Sequence, residues 1–233
     1  MAQGDARWQA KQALYQDPAV VARYDEDRFA HGSGRRSTER KWRAIRAAMG
    51  TSFGALERVL DLPCGTGRFT GRLLDERKRV IAADRSLPML SAAREKRGEA
   101  SYVCADAERL PFADGAFDLV LSIRFLFHVP RERRVGVLRE MARVSRRFVV
   151  VDVRHRYSFA TITKRLRARL AGRPPPSLRY RWSEIEHDLR AAGLALEKRV
   201  WLAPGFSEKL LLFCRIDGDV AGPARSDRDA RRP

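Results

Sequence analysis

Residues 58–71, RVLDLPCGTGRFTG, constrain the fold most, because an apolar strand runs directly into a glycine-punctuated turn and then into helix-compatible sequence. Val59, Leu60 and Leu62 suit a buried parallel strand, Asp61 stands at its carboxyl end, and Gly65 and Gly67 allow a sharp turn close to a ligand. The helix that follows aims its free N–H groups at that ligand, an arrangement suited to a nucleotide-like cofactor. Two better-known loops fit less well. A phosphate cradle needs Gly-Lys-Ser/Thr where Gly67-Arg68-Phe69 stands, and a dinucleotide fingerprint needs glycine at Thr70, one residue before Gly71.

Three further strand ends carry polar residues. Val80–Ala83 runs to Asp84, and a helix follows with Ser86 as its N-cap and Met89, Leu90 and Ala93 along it. Tyr102–Ala105 runs to Asp106, and Phe117–Ser122 follows a turn at Pro111 and Gly115. A doubly wound sheet gathers such ends at one carboxyl edge, where these folds bind ligands. Each acid also has an ordinary structural reading as a loop or strand-end residue, and Met89 as core filler.

With these motifs in place, the chain resembles the class I S-adenosylmethionine-dependent methyltransferases, of the small-molecule type. The resemblance rests on LDLPCGTGRF (60–69), ADRSLPML (83–90) and ADAERLPFADGAFDLVLS (105–122), and covers roughly residues 56–153. It implies an α/β, Rossmann-like sheet of seven strands in the order 3-2-1-4-5-7-6, the last antiparallel, preceded by helices. It also implies S-adenosyl-L-methionine as cofactor. The loop of Asp61, Pro63, Gly65 and Gly67 would hold the methionine moiety, although the family's commonest loop has glycine where Pro63 stands. Asp84, with Arg85 beside it, would take the ribose hydroxyls, and Met89 would lie near the adenine and ribose. Asp106 and the Ala107 N–H would serve the adenine, and Arg124 would border both cofactor and acceptor.

The rest of the chain reads as elaboration of one domain. Residues 1–50 form a helical cap, with Trp8, Val20, Val21, Tyr24, Phe29, Trp42, Ile45 and Met49 at loosely helical spacing and a break at His31–Gly34. In the family such a piece commonly closes over the cofactor, which makes Tyr24, Phe29 and, weakly, His31 candidates to line the substrate site; packing against the sheet explains the two aromatics equally well. Residues 51–216 form the cofactor-binding domain. It includes helix 131–145, a fifth strand at 148–153, a capping box at Ser183–Glu186 and strands near 194–202 and 208–215. The tail 217–233 is poor in large apolar residues, and disorder is expected there.

Charge is lopsided. The formal net charge is +18, and only seven of the 47 basic residues are lysine. An insertion at 154–181 contributes nine Arg and Lys and no acid, and its stretch 158–171 places Phe159, Ile162, Leu166 and Leu170 on one helical face. With Lys164, Arg165, Arg167 and Arg169 around the rest, this basic amphipathic helix suits solvent, a peripheral contact with anionic lipid, or an acidic substrate. Nucleic acid is the other partner that such charge raises. Base-amine methylating relatives, however, usually carry Asn/Asp-Pro-Pro-aromatic where this chain reads Ser122-Ile123-Arg124-Phe125.

The three cysteines, Cys64, Cys104 and Cys214, are dispersed without metal spacing, and the latter two are expected to be buried. No bound metal is expected. No apolar run reaches membrane-spanning length, and a reducing cytoplasm is the expected location. Methyl transfer from S-adenosyl-L-methionine to an oxygen or nitrogen of a small-molecule acceptor, one that is acidic or membrane-associated, is the expected activity. His128, just past the fourth strand, is the candidate base for a hydroxyl acceptor, with His31 the weaker one, and His128 also suits a structural hydrogen bond. An RNA methyltransferase, a nicotinamide-dependent reductase and a cofactor binder without chemistry remain alternatives. Oligomeric state is not legible.

Overall fold

A computed structural model describes residues 2–27, 33–155, 159–172, 180–203 and 208–216. Seven strands form its sheet: β1 (Arg58–Asp61), β2 (Arg79–Asp84), β3 (Ser101–Cys104), β4 (Phe117–Ser122), β5 (Ser145–Arg154), β6 (Leu194–Trp201) and β7 (Lys209–Ile216). Their order is β3-β2-β1-β4-β5-β7-β6, as the resemblance implies. The first five are parallel and β7 is antiparallel to both neighbours. β1 lies between β2 and β4, so the chain leaves β1 toward one side of the sheet and later returns to the other. The crevice of such a fold opens at that reversal, outside the carboxyl ends of the strands.

Alternation along the strands builds two cores. Leu60, Val120 and Val149 point to one face, where they meet Leu138 and Met141 of α7 (Arg131–Val144) and Ile185 and Leu189 of α9 (Trp182–Ala191). Val59, Leu119 and Val150 point to the other, against Trp42 and Ile45 of α3 (Ser33–Met49) and Phe69 and Leu73 of α5 (Arg68–Asp75). β4 is buried along its whole length, as a central parallel strand covered on both faces must be.

Helices α1 (Ala2–Leu14) and α2 (Pro18–Ala22) precede α3, and α4 (Thr51–Gly54) leads into β1. α6 (Leu87–Lys96) begins as its sequence dictates: the Ser86 hydroxyl accepts the Met89 N–H at 3.1 Å, with proline in the first turn. The basic helix after β5 is α8 (Phe159–Leu170). Leu166 and Leu170 are 58% and 80% exposed, so these two residues of its apolar stripe are not covered by the described chain.

Two local expectations are corrected. α9 starts earlier than a Ser183 cap would set it. Its Glu184 carboxylate accepts the Arg181 N–H at 3.0 Å, so the helix is closed from Glu184 back onto Arg181 by that one bond. Cys104 is exposed, because β3 is the sheet's edge and its outer face is uncovered, whereas Cys214 is buried. Phe29, His31 and the tail 217–233 lie outside the described residues.

Candidate active site

The carboxyl ends of β1, β2 and β4 and the turn after β3 converge on one open cavity of about 1220 Å³ including its mouth. Asp61, Pro63, Gly65, Asp84, Arg85, Met89, Asp106, Ala107, Arg124, His128 and Tyr24 all line it. Of the sequence-predicted residues that are described, only Gly67 stands behind the wall. Its left-handed backbone (φ 77°) opens α5, and a Cβ there would stand 3.1 Å from that of Ala93 on α6.

Gly65 (φ 54°) turns the chain at the cavity, and a Cβ at this position would meet nothing within 4 Å. The loop is held from beneath. Asp84 accepts the Gly65 N–H through one carboxylate oxygen and the Ser86 N–H through the other, both at 2.9 Å. Burial pushes Asp84 upward from the ordinary carboxylate range, against the pull of these backbone donors. Asp61, also buried, accepts the Thr70 hydroxyl at 2.6 Å and is pushed up by burial to about 7. Burial and the nearby Asp61 and Asp84 push the Cys64 thiol well up, which keeps it neutral and unreactive.

On the adenine side predicted from the sequence, Asp106 accepts the Glu108 N–H at 3.0 Å and pairs with Arg85 at 3.2 Å, while Ala107 is buried. Across the cavity, Arg124 has a left-handed backbone (φ 67°), unusual for a residue with a Cβ, and its N–H donates to Asp152 at 2.5 Å. The other Asp152 oxygen is paired with Lys41 of α3, and both of these side chains are buried. Burial lowers the Lys41 ammonium, and Asp152 opposes that shift. His128 closes a short 3₁₀ turn (Leu126–His128), its N–H bonded to the Phe125 carbonyl at 2.8 Å.

The N-terminal helices roof the cavity with Trp8, Lys11, Gln12, Tyr15 and Tyr24. Several contacts fix them, among them Arg85 to Gln12 at 3.0 Å and Arg133 to Asp5 at 3.3 Å. The Ser86 hydroxyl donates to the Tyr15 carbonyl, Gln16 donates to the Arg85 carbonyl at 3.2 Å, and Asp25 accepts from Thr66, Arg68 and Lys96 at 2.8, 2.9 and 2.5 Å.

The sequence reading missed Lys41, Asp152, Asp25 and Thr66. Asp152 was visible in principle, as an acid interrupting the apolar run VVVDV at a fifth strand end. Asp25 and Lys41 sit in polar helices with nothing local to mark them.

Residues 59–147 match a family described as a methyltransferase domain. The demethylmenaquinone methyltransferase of Beutenbergia cavernae is 41% identical over 137 residues, which are 57% of this chain and 54% of that protein. The protein of the same name from Mycobacterium marinum is 37% identical over 169 residues, 66% of this chain and 69% of the relative. The chain belongs to the class I S-adenosylmethionine-dependent methyltransferases. Among solved structures, the magnesium protoporphyrin IX methyltransferase of Synechocystis PCC 6803 with bound SAH matches 90% of this chain and 99% of its own, with a TM-score of 0.70 at 16% identity. The PH0226 protein of Pyrococcus horikoshii matches 80% and 93%, with a TM-score of 0.63 at 19% identity. These likenesses concern the methyltransferase fold. The chain spans 54%, 46% and 61% of the first three curated methyltransferases that it matches, so their activity is not carried over whole.

Proposed function

We propose that this methyltransferase-family protein transfers a methyl group from S-adenosyl-L-methionine to an oxygen or nitrogen of a small molecule. One observation carries the reading. Asp84 ends β2 with its carboxylate bonded to both the Gly65 and Ser86 N–H groups, in the cavity that Asp61 and Asp106 share. The residues fit the cofactor: the space in front of Gly65 is open, and the acids complement a ligand with a cationic amino acid end and ribose hydroxyls.

In this reading Asp61 and the Gly65 loop hold the methionine moiety, Asp84 the ribose, Met89 the adenosine flank, and Asp106 with the Ala107 N–H the adenine. The bound cofactor supplies an electrophilic methyl group on a sulfonium. The chain's own task is then alignment and exclusion of water. Tyr15 and Tyr24, edge to face at 5.6 Å, help to roof the cavity, with Trp8 against Phe125 at 5.7 Å beside them. Where the acceptor is a hydroxyl, His128 takes its proton on an imidazole nitrogen. Residues 1–50 act as the cap and 51–216 as the catalytic domain, with 154–181 as its basic insertion. The proposed place of action is the cytoplasm, with α8 touching anionic membrane through Leu166, Leu170, Arg167 and Arg169. Exposure of the two leucines supports that contact, and sedimentation with anionic but not neutral vesicles tests it.

Isothermal titration of nuclease-treated protein with S-adenosylmethionine, NADH and NADPH tests the central reading. Micromolar binding of the first alone is expected, followed by methyl transfer in an acceptor screen that a His128→Ala variant slows for hydroxyl acceptors. Binding of a nicotinamide cofactor, or of none, overturns it.

A further inference from the structure

Ile123, Arg124, Phe125 and His128 enter the cavity wall from the segment that joins β4 to α7. That segment bears both Arg124, expected to border the acceptor, and His128, the proposed base. Its backbone is irregular. Arg124 holds φ 67°, a left-handed conformation that a residue with a Cβ keeps where its surroundings over-determine it, and such residues gather at functional sites. Two residues later the chain tightens into the 3₁₀ turn Leu126–His128.

Two buried side chains from other elements hold this geometry. The Asp152 carboxylate, near the end of β5, accepts the Arg124 N–H at 2.5 Å through one oxygen and pairs with Lys41 of α3 through the other. Both members of that pair are buried and stand behind the wall rather than in it. A buried ion pair adds little stability over well-packed apolar residues of similar size, so stability is a weak reason for one here. Its effect is to fix a carboxylate oxygen where the left-handed Arg124 N–H needs an acceptor. The second side chain is Tyr180, 2% exposed, whose hydroxyl donates to the Leu126 carbonyl. That carbonyl also accepts the Val129 N–H at 3.1 Å, so Tyr180 grips the group that closes the His128 turn. Tyr180 is anchored in its own right: its N–H donates to the Arg154 carbonyl at 3.0 Å, and the Arg134 guanidinium lies 4.2 Å from its ring centre. Burial pushes its hydroxyl up from the ordinary tyrosine range, which keeps it a donor.

We propose that Asp152 and Tyr180 are positioning residues for methyl transfer, Asp152 holding the Arg124 backbone and Tyr180 the His128 turn, so that the acceptor meets a preformed wall. The inference rests on the methyltransferase reading of the cavity and deepens it. Both residues act through the segment they hold, and Lys41 acts through Asp152.

Nuclear magnetic resonance of the full chain tests the clamp. The chain has four histidines, so the His128 imidazole peak is assigned by its loss in His128→Ala. Two double variants, Lys41→Met with Asp152→Asn and Lys41→Met with Asp152→Leu, lack the ion pair alike and differ in whether position 152 offers Arg124 an oxygen. The first should keep the parental His128 peak and the protection of amides 124–129. The second should fold, move the peak and speed exchange of those amides about tenfold. Tyr180→Phe, which loses one hydroxyl, should also move the peak and speed exchange at Val129. On any acceptor that the parent methylates, it should lower kcat several-fold and leave the KM for S-adenosylmethionine unchanged. Matching behaviour of the two double variants would overturn the role of Asp152. An unmoved peak or an unchanged kcat in Tyr180→Phe would overturn that of Tyr180, whatever the melting temperature. Failure of the parent to bind S-adenosylhomocysteine would sink the methyltransferase reading alone, because the His128 peak and the amides report the clamp without it.

Discussion

The Asp84 carboxylate accepts the Gly65 N–H at 2.9 Å, so the residue that ends β2 also shapes the loop that leaves β1. Its second oxygen takes the Ser86 N–H, which sets the start of α6. An asparagine has one acceptor oxygen where two are needed, and its amide would face a backbone donor. Asp84→Asn should therefore weaken S-adenosylhomocysteine binding by about ten- to a hundredfold, the effect of losing about 1–3 kcal/mol of buried hydrogen bonding. Calorimetry beside a thermal melt checks this; unchanged affinity in a folded variant would remove Asp84 from the cofactor site.

Asp61 gives the site a pH dependence. Burial raises it from 3.8 to about 7, with the Thr70 hydroxyl pulling the other way. The folded chain thus keeps a proton that the unfolded chain releases near pH 4. Stability associated with that proton is complete below about pH 4 and is lost as pH rises through 7. Asp61→Asn, which cannot ionise, should melt higher than the parent at pH 8, by an amount of the order of 2–4 kcal/mol. Binding has the opposite slope. A cationic ammonium favours the ionised carboxylate, so S-adenosylhomocysteine affinity should rise from pH 6 to pH 8 in the parent and stay level in the variant. Calorimetry at three pH values decides it.

These two residues were legible because parallel strands covered on both faces read as apolar runs, and a polar residue ending such a run stands out. The glycine turn followed from the same pattern, whereas the strand order came from the family resemblance. The opposite wall was not legible. Lys41 and Asp152 lie 111 positions apart, and Asp25 reaches Thr66 and Lys96 across 41 and 71 positions, with no periodicity linking either set. Nothing in Arg124 announces a left-handed backbone, since arginine is not a turn former; the donor–acceptor pair with Asp152 that accompanies it is visible in the fold alone.

Asp25 latches the roof to the floor. Burial raises its carboxyl, but hydrogen bonds from Lys96, Thr66 and Arg68 outweigh that and hold it below the ordinary range. Its contribution is therefore present above about pH 4 and is lost as pH falls through the lowered value. Asp25→Ala should free the segment 15–27, so that trypsin cuts there about tenfold faster, as about 1.4 kcal/mol of lost closure would give. Saturating S-adenosylhomocysteine should restore protection. Cleavage at the parental rate would show that the contacts of Ser86, Gln16, Gln12 and Asp5 keep the cap closed without Asp25.

Arg134 and Asp188 join α7 to α9 through a buried ion pair at 2.9 Å, the guanidinium lying 4.2 Å from the centre of the Tyr180 ring. Burial pushes Asp188 up while Arg134 holds it down, so the carboxylate depends on its partner. Arg134→Ala should cost about 3–5 kcal/mol, because the acid is left buried without its counter-charge. For a chain of this size that is a fall in Tm of about 10 °C. The deficit should shrink at pH 5, where the orphaned Asp188 takes up a proton, and grow at pH 8, where ionisation is forced on it. Replacing both partners, Arg134→Met with Asp188→Leu, should recover most of the loss, since neither a charge nor an unpaired polar group then remains. A single variant as stable as the parent at pH 8 would mean that water reaches Asp188 and that the α7–α9 seam is held without the ion pair.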